Sequence, residues 1–90
     1  MRATKLTKQM KIYNYKGKNN ICGDKIRQAR ALRNVTQEEL AAKMQVEGVM
    51  IERNSISKME SGVRFVTDYE LLIISKVLNV DVMWLLSDQP

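Results

Sequence analysis

From Gly23 to Ser87 apolar positions recur every three or four residues and are broken by turn and capping residues, the pattern of short amphipathic helices. The first helix is expected over about Asp24 to Arg33, with Ile26, Ala29 and Leu32 as its apolar positions and Asn34 as a left-handed stop. Thr36-Gln37-Glu38-Glu39 is a capping box that opens a second helix, with Leu40, Ala41 and Met44 as its buried stripe. A third helix, "RNSISKMES", ends at Gly62. A second capping box, Thr67 to Glu70, opens a fourth helix through Leu71, Leu72, Ile74, Ser75 and Leu78. Asp81 is placed to cap a last short helix, "VMWLLS". No stretch alternates with period two for long enough to predict a strand, so the fold class is all-α.

The third helix has the least ordinary pattern. Wound at about 100° per residue, it places Ile56 and Met59 inward with Glu60 at their edge. Asn54, Ser57, Lys58 and Ser61 fall on the opposite side, flanked by Arg53, with no carboxylate among them. Two short helices joined by a turn, the second polar outside and apolar inside, describe a helix-turn-helix over about 36–61. In that motif the second helix enters the DNA major groove and its N-terminal residues meet base edges. Asn pairs with adenine, Arg and Lys with guanine, and Ser with either, so the outward residues suit base reading. Gln37, first inside the second helix, is placed to point its amide and the helix N-terminal N–H groups at a phosphate. A solvated helix face is the plain alternative.

Charge changes the picture in one place. The net charge is +5, yet residues 1–20 alone hold Arg2, Lys5, Lys8, Lys11, Lys16 and Lys18 without an acid. The remainder is close to neutral, so basicity by itself says little about the body of the protein. Residues 1–22 are expected to be a flexible basic arm, functional or merely solubilising, and 23–90 the DNA-binding domain. Tyr13 and Tyr15 read as loop residues among its lysines. One cysteine, Cys22, excludes an internal disulfide and suits a reducing cytoplasm; it reads as an inert small apolar residue. With no histidine and a single cysteine, a metal site is not expected, nor is any cofactor. Paired carboxylates in a cleft and phosphate-cradling glycine loops are also lacking, which argues against an enzyme.

Four pieces in order, "IRQAR", "TQEELAAKM", "ISKMESGVR" and "VLNVDVMWLL", make the chain from Ile26 to about Ser87 resemble the Cro-and-phage-repressor (XRE-like) helix-turn-helix regulators. The resemblance implies a five-helix, lambda-repressor-like domain that binds double-stranded DNA, usually as a homodimer on a near-palindromic operator. It also implies a buried ion pair between Arg30 and Glu60, in keeping with Glu60's place at the edge of the inward face. Carried across by motif, the family's DNA contacts are Gln37, Arg53, Asn54, Ser55, Ser57 and Lys58, with Arg64 at a position that commonly touches phosphate.

One stretch departs from the family pattern. Leu40 and Ile56 stand sixteen residues apart, further than is usual, and Gln45 replaces the usual glycine after the second helix. The extra length lies in "QVEGVMIE", and together with "VTDYEL" it resembles a long-turn subgroup of these regulators. Val49 and Ile51 are expected to tuck inward and pin the turn, while Glu52 is a poor N-cap whose charge lies close to the expected DNA. The last helix is too short to bury Trp84, Leu85 and Leu86 together, so part of that surface is either core or a two-fold dimer contact. The reading reached is a sequence-specific transcriptional regulator, a repressor acting as a dimer. The rival is an antitoxin or similar module whose main partner is a protein.

Overall fold

A computed structural model describes residues 15–88. Five helices follow in order: α1 Gly23–Arg33, α2 Gln37–Val46, α3 Arg53–Glu60, α4 Asp68–Leu78 and α5 Val82–Leu85. Helices α3 and α4 each pack on both α1 and α2, and α5 closes the far side against α1 and α4. Among the described residues there is no strand, and no helix is long and apolar enough to cross a membrane.

Both capping boxes form. Thr36 accepts from Glu39 N while Glu39 accepts from Thr36 N, and Thr67 and Glu70 repeat the exchange at α4. Asp81 caps α5 by accepting from Met83 N at 3.3 Å.

The C-terminal ends share one device. Asn34, Gly48, Gly62 and Asn79 all take left-handed backbone, with φ of 57°, 93°, 84° and 54°. At each, the next residue's N–H reaches back five positions: Val35 to Arg30 O, Val49 to Met44 O, Val63 to Lys58 O and Val80 to Ser75 O. This is the Schellman closure, in which an apolar residue after the left-handed one folds back on the helix. In all four cases that residue is valine. Val49 is buried, and Val35 and Val80 pack against the core. Gly48, three residues beyond Gln45, thus supplies the left-handed residue that closes α2.

The core is aliphatic, joining Ile26 and Ala29 of α1 and Leu40, Ala41 and Met44 of α2 to Ile56 and Met59 of α3, Ile74 and Leu78 of α4, and Leu85 of α5. Val49 and Ile51 of the long turn are buried with them, and Gln45 Nε2 donates to Ile51 O at 2.6 Å, drawing the turn closed. Cys22 is also buried; desolvation pushes its thiol up to about 11, so it stays protonated and unreactive near neutral pH.

Two positions expected in the core are outside it. Leu32 is 66% exposed, because the last turn of α1 instead directs Arg33 to α4, where it donates to Leu78 O and Asn79 O at 2.8 Å each. Leu72 is 60% exposed, being nearly opposite Ile74 on the helix wheel. Leu85, considered for a dimer contact, is wholly buried in its own chain and cannot supply one. Trp84 packs against the core, and Lys25 lies 5.0 Å from its ring centre. Of the three residues, only Leu86 stays exposed; Met83 of α5 is exposed too.

Leu40→Ala should therefore cost about 2–5 kcal/mol of stability, while Leu32→Ala should change it by less than about 0.5 kcal/mol. Urea unfolding of the two variants against wild type checks the contrast.

Candidate nucleic-acid interface

Helix α3 is held by few apolar groups. Only Ile56 and Met59 face the core, so polar bonds at its ends must fix its direction. At its C-terminal end the carboxylate of Glu60 is buried and accepts from Arg30 twice, from Nε at 2.6 Å and from Nη2 at 2.9 Å. Arg30 Nη1 also donates to Val35 O at 2.9 Å, and Gln37 Nε2 donates to Glu60 Oε1 at 3.0 Å. One buried carboxylate thus joins α1, the start of α2 and the end of α3.

The outward face is the reverse of that end. Arg53, Asn54 and Lys58 are exposed, and Ser55 and Ser57 are half-buried. Among the described residues, neither Arg53 nor Lys58 has an ion-pair partner, and the Asn54 amide makes no hydrogen bond. Elsewhere in the domain Lys18 and Arg27 face Asp24, and Lys76 faces Glu47. Glu52 is exposed at the N-terminus of α3 and makes no capping bond.

Two residues expected at phosphate have partners within the chain. The Gln37 amide N–H is turned to Glu60. Arg64 donates to Glu70 through Nη1 at 2.9 Å and Nη2 at 3.0 Å, and to Phe65 O at 2.8 Å. Burial pushes the Glu70 carboxyl up, but hydrogen bonds from Arg64 and from Thr67 outweigh it and hold the group below its ordinary value. The Arg64 guanidinium is raised in turn, chiefly by its hydrogen bond to Glu70. This pair fastens the loop leaving α3 to the first turn of α4.

The described part of the expected arm does not hang free. Lys16 and Gly17 turn the chain so that Tyr15 and Lys18 exchange backbone hydrogen bonds of 2.7 and 3.0 Å. Tyr15 Oη donates to Asp88 at 3.2 Å, joining this turn to the other end of the domain. Asn19 and Asn20 bond to the segment that ends α3. The remaining arm cations, Arg2, Lys5, Lys8 and Lys11, and Tyr13 lie outside the described residues.

A family model described as "Helix-turn-helix" matches residues 26–85. The chain belongs to that family. It is a helix-turn-helix protein of the Cro and phage-repressor type and hence a DNA-binding transcription regulator, with α2 and α3 as the two helices of the motif. No curated protein and no solved structure matches it significantly.

Sequence reasoning missed Asn19, Asn20, Gly23 and Lys25 in this helix-turn-helix domain. Lys25 is buried and donates to Ser87 O at 3.2 Å, tying α1 to the chain beyond α5. Its position beside Ile26 gave no hint, because the partner is a backbone carbonyl. Asn20 gave no hint either, since it lies two residues before the N-cap Cys22 and all its partners are backbone atoms.

Glu70→Gln should lower stability near neutral pH. The folded-state carboxyl is held below its unfolded value, so its contribution is present above about pH 4.5 and is lost as pH falls through the folded value. The gap between wild type and Glu70→Gln in urea unfolding should be wide near pH 7 and narrow near pH 3.5.

Proposed function

We propose that this regulator is a repressor that binds a near-palindromic operator as a homodimer. Asn54, Ser57 and Lys58 of α3 read bases in the major groove, with Arg53 and Ser55 at the N-terminal edge of the same face. The observation that carries the reading is the state of that face: two unpaired cations and an unbonded amide on one side of a helix whose other side is locked by a buried ion pair. A surface serving only solubility has no need of so rigid a mounting. Phosphate contacts fall to the basic residues 1–14 and to Arg53. Gln37 and Arg64 act mainly by holding the helix, since each already donates to a carboxylate of its own chain, Glu60 and Glu70. Repression requires only that the operator be occupied. Met83 of α5 and Leu86 at its C-terminal end, both exposed, are the apolar groups offered to a second copy.

The deciding experiment is selection of bound duplexes from a random library. A two-fold symmetric motif with half-sites about one helical turn apart, roughly 10 bp, is expected. Failure of the folded protein to enrich any motif would favour a protein partner instead. On the selected duplex, Lys58→Ala or Asn54→Ala should each cost about 1–3 kcal/mol and relax preference at one base position. Equal losses on scrambled DNA would remove those residues from base reading.

The arm is tested by deletion of residues 1–14, which takes out four cations and leaves Asn19 and Asn20 in place. Binding to all duplexes should weaken and its salt dependence flatten, because fewer counterions are released. An unchanged salt slope would make the arm a tail.

A further inference from the structure

The last carbonyls of a helix have no partners within it. In α3 the carbonyls around that end are served from outside, by the short segment before α1. Asn20 Nδ2 donates to Met59 O at 3.0 Å and to Arg64 O at 2.8 Å, while its Oδ1 accepts from Gly23 N at 2.8 Å. Asn19 N donates to Gly62 O at 2.8 Å, and Asn19 Nδ2 donates to Val63 O at 2.9 Å.

Steric contact reinforces the bonds. A side chain at Gly62 would meet the stem of Lys18, with a Cβ only 2.7 Å from Lys18 Cδ. A Cβ at Gly23 would run into the backbone oxygen of Met59, so α1 and α3 meet there backbone to backbone. Lys58 sits on the turn being held: its own carbonyl accepts from Val63 N at 3.0 Å and from Arg64 N at 3.2 Å.

We propose that residues 18–20 form a strap that fixes the setting of α3 in the groove, with Asn20 as the positioning residue for base reading by Lys58. The inference rests on α3 being the base-reading helix. The Arg30–Glu60 pair anchors α3 through one side chain, and residues 18–20 add a second anchor, to backbone, at the same helix end. The strap's contacts fall on backbone atoms that no mutation of α3 itself can remove. Asn20 suits this role because it must donate two bonds and accept a third. Aspartate has the same shape but would set a second oxygen against two carbonyl oxygens.

The test compares full-length wild type, Asn20→Asp and Asn20→Ala. Each is put through duplex selection, then titrated with the wild-type motif and with a scrambled duplex, alongside thermal melting and amide NMR spectra. Asn20→Asp is expected to stay folded, with amide shifts concentrated in residues 57–64 rather than in α4 or α5. Its affinity for the selected duplex should fall about tenfold, comparable to misreading one base pair, while the scrambled duplex changes by less than about threefold. The base preference opposite Lys58 should broaden. Asn20→Ala should show the same pattern more weakly, and it carries the test if Asn20→Asp does not fold. A folded variant that keeps the wild-type motif and affinity ratio, or loses equally on both duplexes, would overturn the strap's role in reading. Wild-type protein that enriches no motif would instead overturn the base-reading assignment on which the inference stands.

Discussion

Glu60 is the point on which the domain turns. It lies at the end of the helix that must expose a polar face, and it is buried there with a negative charge. A buried carboxylate without partners is strongly destabilising, by about 3–5 kcal/mol when one member of a pair is removed. Here Arg30 and Gln37 together supply three hydrogen bonds to it, and Arg30 reaches on to Val35 O. The geometry can be met only when α1, α2 and α3 are in one arrangement. The pair therefore specifies orientation more than it adds stability, which is what a helix with only two core-facing apolar side chains requires.

The longer turn is compatible with this because its ends are fixed independently. Gly48 lets α2 close on itself, Val49 and Ile51 enter the core, and Gln45 spans from the helix to Ile51 O. The added residues are thereby drawn into a pinned loop rather than a slack one, leaving Met50, between two inward residues, outside. Valine after each left-handed residue gives the same result at the ends of α1, α2 and α4: the helix stops and the following side chain is returned to the core. At the end of α3 Val63 stays outside, and Asn19 takes its carbonyl instead.

Cations divide by function according to whether a carboxylate reaches them. Arg30 and Arg64 are drawn into bidentate pairs and serve as struts, whereas Arg53 and Lys58 have no such neighbour. Net charge conceals this division, since the body is nearly neutral while the cations of α3's outer side make no ion pair among the described residues. For a phosphate-lined partner the local arrangement governs, because exposed charges more than about 8–10 Å apart are largely screened at moderate salt.

The sequence by itself determined the helices, their capping boxes, the outward residues of α3 and the family, since all of these depend on residues within a few positions of one another. The Arg30–Glu60 pairing was also legible, through the family motif and the helical wheel. Contacts between distant segments were not. Gln37 and Arg64 are ordinary candidates for phosphate until folding brings Glu60 and Glu70 to them. Leu32, Leu72 and Leu85 carry equal hydrophobicity, yet only Leu85 is buried, because its place in the packing decides and not its side chain. Asn19 and Asn20 read as the end of a loose arm, and only tertiary structure sets them on carbonyls some forty residues away. A backbone acceptor leaves no trace in sequence, so bonds of this kind become visible only once the chain has folded.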